Sequence, residues 1–173
     1  MTSKDHDSKV FDFILWGATG FTGELVADYI VRYYGGKPGN FTWALGGRNQ
    51  EKLRKLRNRL ALIDPKASNI PIVTASLGDP VSLKEMVDKT RLLVSVAGPY
   101  GKLGTPIVEL CCESGIDYCD INGELSWAYQ MIHKYSSLAK ERGSKIIFHC
   151  GFDSIPADLG SYLMQKESYE RWQ

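Results

Sequence analysis

Phe11-Asp12-Phe13-Ile14-Leu15-Trp16-Gly17-Ala18-Thr19-Gly20-Phe21-Thr22-Gly23 is the stretch that decides the fold. Residues 11–16 form a short apolar run that stops abruptly at glycine, as a strand buried on both faces does. Glycines follow at 17, 20 and 23. From Thr22 to Tyr34 the pattern turns helical, with Leu25, Tyr29 and Tyr33 on one stripe and Val26 and Ile30 beside it. A strand, a glycine turn and a helix in direct succession suit a diphosphate. The chain must turn tightly, its backbone must approach the phosphates with no Cβ in the way, and the helix must pack close to the strand. The helix N-terminus then offers free N–H groups and the positive end of its dipole. The spacing is GxxGxxG rather than GxGxxG, so its weight comes from its place between strand and helix. Gly17, Ala18, Thr19, Gly20, Phe21, Thr22 and Gly23 are the expected cradle; a tight turn with no ligand is the alternative.

Working outward, the same alternation repeats. Gly35-Gly36-Lys37-Pro38-Gly39-Asn40 breaks the first helix, and residues 41–47 read as a second strand. Asn49 caps a helix marked by Leu53, Leu56, Leu60 and Ile63. A third strand is expected at 70–76, then a helix started by Asp79-Pro80 and carried by Leu83, Met86 and Val87. Strand four is expected at 92–98, a helix from Thr105-Pro106 to Gly115, and strand five at 117–121. Ala128, Met131, Ile132, Tyr135, Leu138 and Ala139 mark a long helix stopped by Gly143; strand six is expected at 145–150, and Pro156 opens a last helix. Six strand–helix alternations predict an α/β, doubly wound parallel sheet of the dinucleotide-binding Rossmann type, in the order 3-2-1-4-5-6.

Length and composition agree. The 173 residues suffice for one domain, with 43% hydrophobic and 24% charged residues. Twenty-one Lys+Arg against 20 Asp+Glu leave a net charge of +1, which lacks the footprint of a nucleic-acid binder. No apolar run approaches the ~20 residues of a spanning helix. The polar start, residues 1–10, reads as a flexible tail and not as a secretory signal. Cys111, Cys112, Cys119 and Cys150 form no CxxC and no zinc spacing, so they are expected as reduced, packed thiols of a cytoplasmic-type compartment, with no metal.

The second strand selects the dinucleotide. A site for NAD places Asp or Glu after this strand to hold the ribose hydroxyls. Here stands Gly46-Gly47-Arg48-Asn49. No carboxylate is there to repel a 2′-phosphate, and Arg48 can pair with that phosphate or stack on adenine. Lys52, one turn on, can assist, though it shares a crowded basic face with Arg54, Lys55, Arg57 and Arg59. NADP is expected over NAD. Ala97-Gly98-Pro99-Tyr100 ends the fourth strand, beside the first and across the switch point, where the nicotinamide half belongs. Asp79 suits either adenine or a plain helix cap.

Gly17-Ala18-Thr19-Gly20-Phe21-Thr22-Gly23, Ala97-Gly98-Pro99-Tyr100, Asp120-Ile121-Asn122-Gly123-Glu124 and above all Gly151-Phe152-Asp153-Ser154-Ile155-Pro156-Ala157-Asp158-Leu159-Gly160 resemble the saccharopine dehydrogenase-like oxidoreductases, a group that includes the trans-acting enoyl reductases. The resemblance covers about residues 11–165. It implies an NAD(P)-binding domain that precedes a substrate domain, a part in lipid metabolism, and association with lipid droplets or membranes. The expected organisation is a tail at 1–10 and a dinucleotide-binding domain at 11–173, with the substrate domain absent and the chain ending as if cut. The expected function is the NADP-binding part of an oxidoreductase that moves hydride to or from a carbonyl or enoyl group of a lipid-type substrate. A non-catalytic dinucleotide-binding module or fragment is the alternative.

Beyond the cofactor, Asp120, Asn122, Glu124, Asp153 and Ser154 follow strands five and six. They suit orientation of a substrate or of the nicotinamide amide or, for Asn122 and Ser154, helix capping. His133 and His149 read as structural, and no general acid is assigned. Tyr162 and Lys166 form a YxxxK, as in short-chain dehydrogenases, but Ser154 stands too near to complete that set.

Overall fold

The structure, a computed structural model, describes residues 9–37, 39 and 41–172; the expected tail at 1–10 lies, apart from Lys9 and Val10, outside them. Six parallel strands form one sheet in the order β3-β2-β1-β4-β5-β6, as expected. They are β1 (Phe11–Trp16), β2 (Trp43–Gly47), β3 (Ile72–Thr74), β4 (Thr90–Ser95), β5 (Asp117–Asp120) and β6 (Ile146–Ile147). The helices are α1 (Phe21–Tyr34), α2 (Gln50–Leu60), α3 (Pro80–Asp88), α4 (Tyr100–Leu103), α5 (Thr105–Ser114), α6 (Leu125–Arg142) and α7 (Ile155–Arg171).

Central β1 pairs on both sides, Trp16 with Gly46 of β2 and with Ser95 of β4. Its side chains alternate between two cores, because both faces of a parallel sheet are covered. Leu15 enters the core built with α1 and α2 through Ala27, Val31, Leu53 and Leu56. Ile14 and Trp16 enter the core built with α3, α5 and α6 through Met86, Val108 and Met131. β1 keeps its expected bounds, β4 starts two residues early and ends at Ser95, and the other strands are shorter than their expected runs. Strand six stops at Ile147, because the next residues turn to bond the end of β5. Two elements escaped the sequence pattern: α4, four residues long, and a 3-10 turn at Pro65–Asn69.

Helix α1 corrects the expected stripe. Gly23, Ala27, Ile30 and Val31 are the residues it buries, while Tyr29 and Tyr33 are 54% and 71% exposed and stack on each other. The widest apolar stripe is not the packed one, because small residues allow the helix to lie close against β1. The caps behave as expected. The Asn49 side chain accepts from Lys52 N–H, and Asp79 accepts from the Val81 and Ser82 amides. Asp79 is thereby placed as a cap.

Candidate dinucleotide site

The glycine turn sits at the C-terminal edge of the sheet. Gly17 takes φ +87°, a left-handed conformation that L side chains rarely adopt, and a Cβ there would lie 2.8 Å from Ala97 Cβ. Gly23 is more restrictive. Its Cβ would fall 2.2 Å from Gly17 O and 2.8 Å from Ala18 C, so the first turn of α1 rests directly on the backbone of the loop. Gly17 and Ala18 both donate to Gly46 O at 3.1 Å, which ties the turn to the end of β2. Gly46 itself lies where a Cβ would meet Ile14 Cγ2 at 2.7 Å. The α1 N-terminus starts at Gly20, and among the described residues no side chain caps its first-turn amides. Those amides and the positive end of the dipole suit a diphosphate.

These contacts gather three stretches far apart in sequence: Gly17–Gly23, Arg48 just beyond β2, and Ala97–Tyr100 just beyond β4. Ala18 is fully buried, Thr19 and Thr22 are half-buried, and Gly20 and Phe21 are exposed at the rim. Arg48 is exposed, and among the described residues no carboxylate pairs with it. Three of its basic neighbours on α2 are engaged elsewhere, while Arg54 is exposed. Arg59 holds Asp28 at 2.8 Å and Glu24 at 3.3 Å on α1, Arg57 reaches Ile70 O, and Lys55 faces Glu51 at 3.9 Å. Lys52 stays exposed in the first turn of α2. Arg48 and Lys52, together with Arg54, are thus exposed cations near the end of β2 with no carboxylate partner among the described residues, a charge that could match a 2′-phosphate.

At the other end, the Gly98–Pro99 peptide bond is cis, and both residues are exposed. Tyr100 differs from the expected contact residue, because its side chain turns into the core. Its hydroxyl donates to Ser95 O at 3.0 Å, its ring packs on Trp127 at 5.7 Å, and burial pushes the phenol up to about 12. The polar residues after β5 are likewise occupied. Asp120 and Asn122 are 1% and 2% exposed. Asp120 accepts from Tyr118 Oη, Asn122 Nδ2, and the amides of Asn122 and His149. Asn122 does not cap α6; its Oδ1 accepts from Glu124 N–H at 2.9 Å in a local turn. Ser154 occupies the cap position of α7 without a side-chain hydrogen bond. His149 sits at φ +61°, with Nδ1 2.6 Å from Asn122 O. A carbonyl only accepts, so Nδ1 carries the proton, and this histidine holds the β5–β6 corner. His133 lies exposed on α6, edge-on to Tyr129.

Tyr162 and Lys166 lie on α7, a helix with no buried side chain, and Lys166 faces Glu170 at 3.9 Å. Among the described residues no cluster suits a metal ion, and no helix is long and apolar enough to cross a membrane.

The four thiols are free and held in their neutral form. Burial pushes Cys119 up to about 12 and Cys112 up to about 11, and raises Cys111 and Cys150 as well. Each unit above the ordinary value lowers the thiolate fraction tenfold, and the thiolate is the nucleophile. Native Cys112 is therefore expected to alkylate about 100-fold more slowly than free cysteine near pH 7.5. Mass spectrometry after a timed iodoacetamide pulse checks this; labelling at the rate of free cysteine would contradict it.

Residues 13–147 match the family described as the saccharopine dehydrogenase NADP binding domain. The chain is 37% identical over 160 residues to the trans-acting enoyl reductase of Mycobacterium tuberculosis, an alignment that covers 92% of this chain and 37% of that protein. It is also 37% identical over 160 residues to a lipid droplet localized protein of Caenorhabditis elegans, covering 90% of this chain and 36% of that one. Among solved structures, the apo saccharopine dehydrogenase (L-Glu forming) of Saccharomyces cerevisiae superposes with a TM-score of 0.65 at 13% identity, over 92% of this chain and 32% of that one. Triphenylmethane reductase of Citrobacter sp. superposes with a TM-score of 0.57 at 16% identity, over 80% and 48%. The structural likenesses show the fold. The chain spans a little over a third of the length of the curated relatives it matches.

Proposed function

This chain belongs to the family of saccharopine dehydrogenase NADP-binding domains, and we propose that it holds NADP across the C-terminal ends of β2, β1 and β4. The diphosphate rests on the Gly17–Gly23 turn and the first amides of α1. Arg48, assisted by Lys52, receives the 2′-phosphate, and Ala97, Gly98 and Pro99 border the nicotinamide half. The observation that carries this reading is the joint anchoring of the glycine turn. Its amides bond Gly46 O, two residues before Arg48, while Gly17 abuts Ala97. One rigid unit therefore spaces the cationic end from the nicotinamide end.

NADP supplies the hydride chemistry when bound, and the protein's share is to bind, orient and exclude competing reactions. We assign the chain to the dinucleotide-holding part of an oxidoreductase acting on a carbonyl or enoyl group of a lipid-type substrate. The name of the mycobacterial relative supports the enoyl class, and that of the C. elegans relative supports work at a lipid droplet. A second reading, binding without turnover, is favoured by the residues beside the crevice. Asp120 and Asn122 satisfy each other, and Glu124 is occupied by two amides.

The test is a fluorescence titration of the chain with NADPH and NADH, followed by NADPH oxidation against enoyl and keto lipids. Tighter binding of NADPH is expected. Turnover supports the oxidoreductase role, and binding without turnover supports the module. Preference for NADH, or binding of neither, overturns the NADP placement.

A further inference from the structure

The Glu124 carboxylate is engaged with a loop on the far side of its own turn. Oε1 accepts from Tyr100 N–H at 2.6 Å, and Oε2 accepts from Gly101 N–H at 2.9 Å. These are the first two amides after the Gly98–Pro99 bend. A carboxylate bonded to two amides is a charge-assisted pair, stronger than a neutral one. The grip continues three residues on. The Trp127 indole stacks on Tyr100, donates to Thr105 Oγ1 at 3.0 Å, and lies where a Cβ on Gly104 would come within 2.6 Å. The beginning of α6 therefore holds the segment from Tyr100 to Thr105 from one side, while Ser95 O holds the Tyr100 hydroxyl from the other.

The bend is also tied to the dinucleotide turn. Ala97, three residues before Tyr100, is packed so tightly on Gly17 that a Cβ there would lie 2.8 Å away. A shift of the loop cannot leave the crevice unchanged. The amides of Tyr100 and Gly101 are saturated by Glu124, and Gly98 and Pro99, just before them, are exposed on the side of Ala97. The adenosine end, at Arg48, lies on the opposite side of β1 and shares no contact with Glu124.

We propose that Glu124 is a positioning residue for the nicotinamide half of the dinucleotide. By fixing the Tyr100 and Gly101 amides it sets the height of Gly98 and Pro99 beside Gly17, and it leaves the adenosine end untouched. This rests on the placement of NADP proposed above. Two variants reach the clasp from opposite sides. Glu124→Gln keeps one acceptor but turns an amide N–H against a second N–H. Gly101→Ala puts a Cβ 2.8 Å from Glu124 Oε2 and forces the carboxylate away.

The experiment compares two probes on the full chain: NADPH, and adenosine 2′,5′-bisphosphate, which lacks the nicotinamide half. Both variants should bind NADPH about tenfold more weakly and bind the bisphosphate within about twofold of the unaltered chain. Retained bisphosphate binding reports a folded site, and should Glu124→Gln fail to fold, Gly101→Ala carries the comparison. Equal weakening of both probes shows a general structural role and overturns the proposal, as does unchanged NADPH affinity. An unaltered chain that binds neither probe overturns the NADP placement itself, and the positioning role with it.

Discussion

Gly23→Ala is expected to remove NADPH binding altogether and to lower stability by about 3 kcal/mol, the upper part of the usual overpacking range. The new methyl would sit 2.2 Å from Gly17 O and 2.8 Å from Ala18 C. Both are backbone atoms, so no side chain can rotate away. Either α1 lifts from β1 or the turn unwinds. Lifting α1 opens the core around Leu15, Ala27 and Val31, which are closed at 0–2% exposure. Unwinding frees the Gly17 and Ala18 amides from Gly46 O and spoils the proposed diphosphate seat. Thermal melting and NADPH titration of the variant check both effects. A variant that melts with the unaltered chain and binds NADPH normally would show that this turn is not the cradle. Gly39→Ala is the control, since a Cβ there meets nothing within 4 Å.

Arg48→Ala is expected to weaken NADPH about 30-fold while changing NADH by less than about twofold. The loss corresponds to one charge-assisted pair of about 2 kcal/mol. The preference should therefore collapse without loss of the fold, because Arg48 is exposed and among the described residues supports no ion pair. Salt should act in the same sense, since an exposed pair is screened within a Debye length of ~10 Å at 0.1 M. Titration of both coenzymes at two ionic strengths gives the answer. Equal weakening of NADPH and NADH would assign Arg48 to adenine stacking instead of the phosphate.

Much of the fold could be read along the chain. The six apolar runs, the glycine and proline punctuation, and the Asn49 and Asp79 caps are local signals, and local physics wrote them. Strand order followed from the doubly wound dinucleotide-binding pattern that the glycine turn announces. The α1 face was misread because Leu25, Tyr29 and Tyr33 make the broader apolar stripe, whereas packing selected Gly23 and Ala27 for closeness. Element α4 was missed because four residues carry no period. Asn122 resembled a helix cap by position, yet burial turned it toward Asp120.

For the site, residue types were legible and partners were not. Gly17, Gly20, Gly23 and Arg48 announce themselves by kind and by place after a strand. Tyr100 was grouped with them, although its hydroxyl and ring are used inside the core. Gly46 was passed over as a contributor to the crevice, and Glu124 was read as facing a ligand and not as holding a loop. Their contribution is a carbonyl and a carboxylate aimed at amides 29 and 24 residues away, and no spacing rule reports that.

The amino-acid order alone determined the alternating architecture, the glycine turn after the first strand and the cationic residue after the second. Each depends on neighbours a few residues apart, through backbone propensity, missing Cβ atoms and fixed charge. The tertiary structure alone decided that Gly17 rests on Ala97, that Gly46 O holds the turn, and that Glu124 clasps the bend after Pro99. Those pairings arise when separate strand ends are brought side by side in the sheet, where steric closeness and hydrogen-bond direction, not sequence separation, choose the partner.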